Sequence, residues 1–296
     1  MATGWLERTP GIYAQAVGVN GKRAMVIDLS GTNPEGWQND KGPHLTAPND
    51  AIIYELHVRD LSIHPESGIQ HKGKFLGLAE TGTRAANGLA SGLDHIKEMG
   101  VTHVHLLPSF DYASVDETRL DSPQFNWGYD PQNYNVPEGS YATDPYQAEV
   151  RIREFKQMVQ AFHEAGIGVI LDVVYNHTGG YAKTANFNLE YPDYYYRHCD
   201  NGALSDASAC GNETASDKPM MRKFMIESVL YWAREYHIDG FRFDLMAIHD
   251  IETMNELTLA LKEQNPNVIV YGEGWTAGDS PLPFERRALK AHTSQM

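Results

Sequence analysis

The sequence predicts an α/β fold: a (β/α)8 barrel truncated after about its fifth strand and preceded by the end of a β-sandwich domain. Three observations carry this. From Ala51 onward, short apolar runs alternate with helical patterns, the rhythm of a parallel sheet with helices outside it. The two long connections, Pro108–Glu149 and Thr178–Lys218, each follow the C-terminal end of a strand while the returns are short, which favours a barrel over a doubly wound sheet. Before Ala51 the texture differs, with short strand-like runs punctuated by Gly and Asn.

Taken in order, the first runs are Gly11–Val17 and Ala24–Leu29, joined across the hairpin-type dipeptide Asn20-Gly21. A polar linker, Thr32–Asp50, follows. Residues 1–48 are therefore read as the C-terminal part of a β-sandwich with its linker, and residues 49–296 as the five-strand portion of a barrel. The strands are Ile52–Val58, His103–Leu107, Val169–Val174, Gly240–Leu245 and Val268–Gly272. Helical patterns lie between them. Leu89–Met99 stops at Gly100 and Val150–Ala165 at Gly166, where glycine closes a helix cheaply. Pro219–Tyr236 opens on proline, and Glu252–Gln264 is stopped by Asn265-Pro266. A closed barrel needs eight strands, and an open sheet leaves raw edges, so the expectation is a piece of a longer protein.

Composition narrows the partners. The chain has 296 residues, with 24 Lys and Arg against 39 Asp and Glu, a net charge of −15. Phosphate backbones repel such a surface, so nucleic acid is not an expected partner. No apolar run reaches the ~20 residues of a membrane span, and residues 1–10 lack the basic start and apolar stretch of a signal peptide. The compartment and the oligomeric state stay open. With 16 Tyr and 5 Trp, the surface suits a neutral, hydroxyl-rich ligand, although packing accounts for most of these rings. Cys199 and Cys210 lie close in sequence and leave a local disulfide open. No Gly-rich phosphate loop and no zinc-type Cys/His spacing is present, so no cofactor is expected.

The candidate chemistry sits at strand ends. Arg242 and Asp244 are two apart and point to one face of their strand, while Phe241, Phe243 and Leu245 point to the other. A guanidinium beside Asp244 should keep it ionised, as a nucleophile requires, although a structural ion pair would look the same. Glu273 ends the next strand between Gly272 and Gly274, which should admit a ligand closely. Lacking an arginine two residues away, Glu273 is the better proton donor. Carboxyls on adjacent strand ends suit the ~5–5.5 Å spacing of retaining glycosidases. His177 could read a sugar hydroxyl or be a structural histidine. Asn126–Pro131 is a turn presenting Trp127 and Tyr129, for stacking on a sugar or for loop packing.

At these motifs the sequence resembles the α-amylase superfamily of glycoside hydrolases. Asp172-x-x-x-Asn176-His177 resembles its first conserved region, Gly240-Phe241-Arg242-x-Asp244 its second, and Gly272-Glu273 its third. Phe125–Pro131, with Phe125 where Tyr is usual, and Tyr271-Gly272-Glu273-Gly274-Trp275 resemble the type I pullulanase forms, and strand four lacks the Lys-His pair of many α-amylases. The resemblance implies hydrolysis of α-1,6 bonds in pullulan or branched α-glucans. It implies Asp244 as nucleophile, Glu273 as acid and base, Arg242 as their organiser, and His177 and Tyr129 at the cleaved sugar. Asp172 and Asn176 would support the site, with Trp127 and Trp275 as further sugar contacts. Relatives bind calcium at the equivalent Asn; no full oxygen set is visible, so metal is not expected, though a structural calcium stays open. The family's fourth region, a His-Asp pair, is absent, so the expectation is a chain weakly active or inactive alone. Another debranching enzyme, an isoamylase or limit-dextrinase, and a non-catalytic α-glucan-binding fragment are the alternatives.

Overall fold

The five expected strands form, in the expected order, in the computed structural model, which describes residues 8–292. They are β1 (Ile53–Leu56), β2 (His103–Leu106), β5 (Gly168–Val173), β6 (Gly240–Phe243) and β7 (Ile269–Gly272). All pair in parallel, in the order β1-β2-β5-β6-β7, with no reversal of direction along the sheet. A doubly wound sheet reverses; a barrel does not. Every residue of β2 and β5 is buried, which is why these strands read as apolar runs rather than alternations.

The sheet is strongly curved. Tyr271 on β7 places its hydroxyl 3.2 Å from Nδ1 of His105 on β2, although three strand spacings of ~4.8 Å separate them in a flat sheet. Side chains standing off one face can meet at that distance only if the face is concave, as in part of a barrel.

The covering helices are α1 (Phe75–Ala79), α2 (Gly92–Met99), α3 (Ala148–Glu164), α4 (Asn186–Glu190), α5 (Pro219–Glu235) and α6 (Ile251–Gln264). Gly100 closes α2 in the left-handed conformation at φ 71°, and Pro219 opens α5, as the sequence predicts. Asp250 caps α6 by accepting a bond from the Thr253 amide. Trp232, Phe155, Tyr236 and Phe224 are fully buried.

Two departures have physical causes. The segment Pro108–Glu149, read as loop, contains an antiparallel pair, β3 (Phe110–Tyr112) and β4 (Pro131–Pro137). Its register shifts twice, and Pro131 and Pro137 bound the longer strand, so no period-2 pattern is visible. Conversely, no strand forms within residues 8–50, and no β-sandwich is seen there; Val17 and Ala24 make one isolated bridge. Met25 and Val26 are exposed, so a two-stranded hairpin would have no apolar face to hold it.

The segment is instead a strap fastened by polar side chains. The amide of Asn20 donates to Glu117 at 2.6 Å, Asn20 Oδ1 accepts from the Glu117 amide at 2.7 Å, and Asn133 donates to the Gly21 carbonyl at 2.9 Å. Further on, Trp37 stacks on His237 at 4.0 Å between centroids, and Asp40 accepts from both His163 and His237 at 2.8 Å. Burial opposes both shifts, but the bonds to Asp239 and Asp40 outweigh it and push His163 up to about 9, and those from His163 and His237 hold Asp40 at about 2.

Candidate active site

Three inward residues stand level across three strands. Asp172 on β5 pairs in register with Arg242 on β6, and Arg242 with Tyr271 on β7. Two residues further along, Asp244 follows β6 and Glu273 follows β7, which raises both to the C-terminal rim on the same face. Arg242 joins them. Its Nη1 donates to both Asp172 oxygens, at 2.9 and 3.0 Å, and to Asp244 Oδ1 at 3.1 Å; its Nη2 lies 2.6 Å from Glu273 Oε1.

The other sequence candidates fill in around this core. Tyr129 donates its hydroxyl to Asp172 at 2.8 Å, which fixes the ring at the mouth. Asn176 donates to the Asp244 carboxylate at 2.8 Å and to its carbonyl at 2.9 Å. His177 sits with Nδ1 2.6 Å from Asn176 Oδ1 and Nε2 2.8 Å from the Tyr129 carbonyl. Burial pushes its pKa below the ordinary imidazole value, against the pull of that carbonyl. The structure thus gathers Asp172, Asn176, His177, Tyr129, Arg242, Asp244 and Glu273. It does not gather Trp127 and Trp275, which are 62% and 57% exposed; Trp127 packs edge-on against Phe125.

Two expectations need correction. Arg242 does not simply hold Asp244 ionised. Burial, then the neighbouring Asp172 and Glu273 charges, push Asp244 up to about 6, because one guanidinium is shared among three carboxylates. Nor does Glu273 lack an arginine: Arg242, on the adjacent strand, is its ion-pair partner. The flanking glycines also have a different cause from ligand approach. A Cβ on Gly272 would lie 2.9 Å from Met246 Sδ, and one on Gly274 would lie 2.5 Å from the Lys290 amide. Packing of the chain itself requires them.

Sequence reasoning missed three contributors. His105 places Nε2 3.2 Å from Asp172, and Tyr271 reaches the other ring nitrogen. Their signal was available: each is a polar residue on the inward phase of a barrel strand. Leu245 gave no signal. It takes a left-handed conformation, φ 41° and ψ 48°, and so turns its amide to donate to Glu273 Oε2 at 3.1 Å. For a leucine this backbone is strained.

Metal capacity lies elsewhere. Asp111, Glu117 and Glu138, all buried, each bring an oxygen within 4.8 Å of the others. Arg151 already donates to Asp111 at 2.9 Å and to Glu117 at 2.8 Å, so a guanidinium stands where a cation would. Cys199 and Cys210 are free thiols. No helix among the described residues is long and apolar enough to cross a membrane.

Known proteins resemble this chain along most of its length. Residues 73–215 match the family described as the alpha amylase catalytic domain. The chain is 44% identical over 293 residues to a pullulanase of Bacillus subtilis (strain 168), covering 99% of this chain and 40% of that protein. It superimposes on a crystal structure of a pullulanase from Paenibacillus barengoltzii in complex with maltohexaose and alpha-cyclodextrin with a TM-score of 0.95 and 56% identity, covering 98% of this chain and 45% of that one. A chloroplastic isoamylase 3 of Oryza sativa is 34% identical over 230 residues, 73% of this chain and 28% of that protein. The chain therefore spans less than half the length of these relatives.

Proposed function

Because this chain belongs to the α-amylase family of catalytic domains, we propose that it carries the catalytic pair of a pullulanase-type retaining hydrolase. The bond cleaved is the α-1,6 branch in pullulan or branched α-glucans, and the five strands are the first five of an eight-stranded barrel in a longer protein. The expected upstream β-sandwich has no support in residues 8–50, which in this reading serve as a strap on the barrel.

Asp244 attacks the anomeric carbon while Glu273 gives its proton to the departing glycosidic oxygen, leaving a covalent glucosyl-enzyme. Water then attacks that carbon, gives a proton to Glu273 and frees Asp244. Asp244 with a pKa near 6 is mostly ionised at neutral pH, as attack requires. Glu273 must hold a proton for the first step, so substrate has to loosen its bond to Arg242. His177 and Tyr129 hold the sugar at the cleaved bond, with Asp172 and Asn176 fixing Arg242, Tyr129 and Asp244. Trp127 and Trp275 are exposed rings for sugar further out. A calcium ion, if bound, would be structural, since no step calls on one.

The observation that carries the reading is the Arg242 bridge. Asp244 and Glu273 bond two nitrogens of one guanidinium, so both carboxyls converge at one place on the rim, as attack by one and proton donation by the other require. The test is reducing-sugar release from pullulan by this chain and by the gene extended to its natural end, each beside Asp244→Asn and Glu273→Gln. Maltotriose release abolished in both variants supports the proposal. Release from neither parent would sink it and leave an α-glucan-binding fragment. The similarity to an isoamylase keeps a second debranching reading alive, favoured if glycogen is strongly preferred to pullulan.

A further inference from the structure

A cavity of about 980 Å³ lies between the strap, the start of β4 and the loop after β5. Four cationic side chains line it, Arg8, Lys22, Arg23 and Lys183, and no Asp or Glu does. All four are exposed and none has an ion-pair or side-chain hydrogen-bond partner among the described residues. In a chain of net charge −15 this is an unusual concentration of uncompensated positive charge.

The remaining polar groups of the lining are already used. Thr9 donates to Asn186 at 3.0 Å, Asn186 donates to the Gln132 carbonyl at 3.0 Å, Gln132 donates to the Asn20 carbonyl at 3.0 Å, and Thr184 donates to the Tyr181 carbonyl at 2.9 Å. What the cavity offers is therefore charge, set against an apolar wall that includes Ile12, Phe187 and Leu189. A neutral sugar would leave four cations unanswered. A dianion with three acceptor oxygens matches them, since lysine and arginine bind phosphate through charge-assisted bonds.

We propose that this cavity is a binding site for a phosphate monoester, separate from the Arg242 centre. It shares a wall with that centre: Tyr134 lines the cavity and donates its hydroxyl to the His177 carbonyl at 2.6 Å, and Thr178 lines it directly after His177. The ester could arrive on a free sugar phosphate or on a phosphorylated glucan chain. The site stands on its own charges, so its failure would leave the hydrolase reading untouched.

The experiment is calorimetric titration and thermal unfolding of this chain with inorganic phosphate, glucose 6-phosphate and a phosphorylated maltodextrin. Sodium chloride of equal ionic strength and unphosphorylated maltodextrin are the references. The paired variant is Lys22→Gln/Arg23→Gln/Lys183→Gln, three exposed side chains with no packing role. Saturable phosphate binding that weakens about tenfold or more in the variant, with unfolding of the unliganded variant unchanged, supports the site. Glucose 6-phosphate binding more tightly than the phosphorylated dextrin assigns the free ester, and the reverse order assigns the glucan. A response that follows ionic strength alone, or one undiminished in the variant, overturns it.

Discussion

Arg151 and Arg242 each stand among three carboxylates. Arg151, with Asp111, Glu117 and Glu138, is sealed: its side chain is wholly buried, and the acids accept from the amides of Asn20, Tyr112 and Ser140 as well. Arg242, with Asp172, Asp244 and Glu273, lies at the barrel rim, where the Asp244 and Glu273 side chains keep 12% and 24% of their exposure. The inventory is the same, yet one assembly joins the strap to β3 and β4 while the other can admit a substrate. Access, more than the set of residue types, separates a structural knot from a reactive site.

The largest effect should come from the open assembly. In the full-length protein, Asp244→Asn should lower pullulan hydrolysis by at least about a thousandfold, because it removes the proposed nucleophile. Unfolding by urea should change far less, since the amide oxygen can still accept from Arg242 and the backbone carbonyl still accepts from Asn176, so only one carboxylate bond is lost. A fall in stability matching the fall in rate would show Asp244 to be as structural as Asp111 and would erase the contrast.

The sealed assembly should respond the other way. Arg151→Met strands three buried carboxylates and should cost about 3–5 kcal/mol of stability, as broken buried pairs do. Arg242→Met, at a wetter site, should cost less than half as much while abolishing hydrolysis. Chemical denaturation of the two variants side by side decides this.

A smaller effect is expected from pH. Burial, outweighing the pull of Arg151, pushes Asp111 up to about 7, and Glu138 is pushed well above the usual carboxylate range, also by burial. Unfolded, an Asp titrates near ~3.9. Between about pH 4 and 7 the folded state therefore holds the extra proton, so stability is greatest at the acid end of that window and falls as pH rises through it. The slope is at most about 1.4 kcal/mol per pH unit for one carboxyl, and Asp111→Asn should flatten it. Asp244 has a similar shift with a functional consequence: hydrolysis should decline below about pH 6 as the nucleophile gains its proton. If stability instead rose toward pH 7, the sealed cluster would be ionised and its contrast with the open one would be wrong.

How far these two places were legible differs for the same physical reason. The rim was readable because strand parity puts Asp172, Arg242 and Asp244 on one inward face, and such residues have little cause to be there unless they work. The sealed cluster was not. Its acids come from β3, a turn and the end of β4, and Arg151 from a helix, so no local spacing joins them. The strap failed for a related reason: its runs have strand-like composition, but its backbone groups are answered by Glu117, Gln132 and Asn133, residues about a hundred positions away. The sharing of Arg242 with Glu273 was equally hidden, because it crosses from β6 to β7.

The smallest predicted effect tests the one strained link at the rim. Leu245 sits at φ 41° so that its amide can reach Glu273. Leu245→Gly removes the steric cost of that backbone, worth about 1 kcal/mol, but also widens the unfolded ensemble, so net stability should change by less than about 1 kcal/mol. The amide survives the substitution, but glycine opens many more backbone conformations, so its aim is less fixed. Glu273 should then wander from Arg242 and Leu245, and kcat on pullulan should drop a few-fold with KM nearly constant, since sugar binding through His177 and Tyr129 is untouched. Unchanged kcat would mean that Arg242 alone positions Glu273, and that the open assembly, like the sealed one, is held by its guanidinium without help from backbone strain.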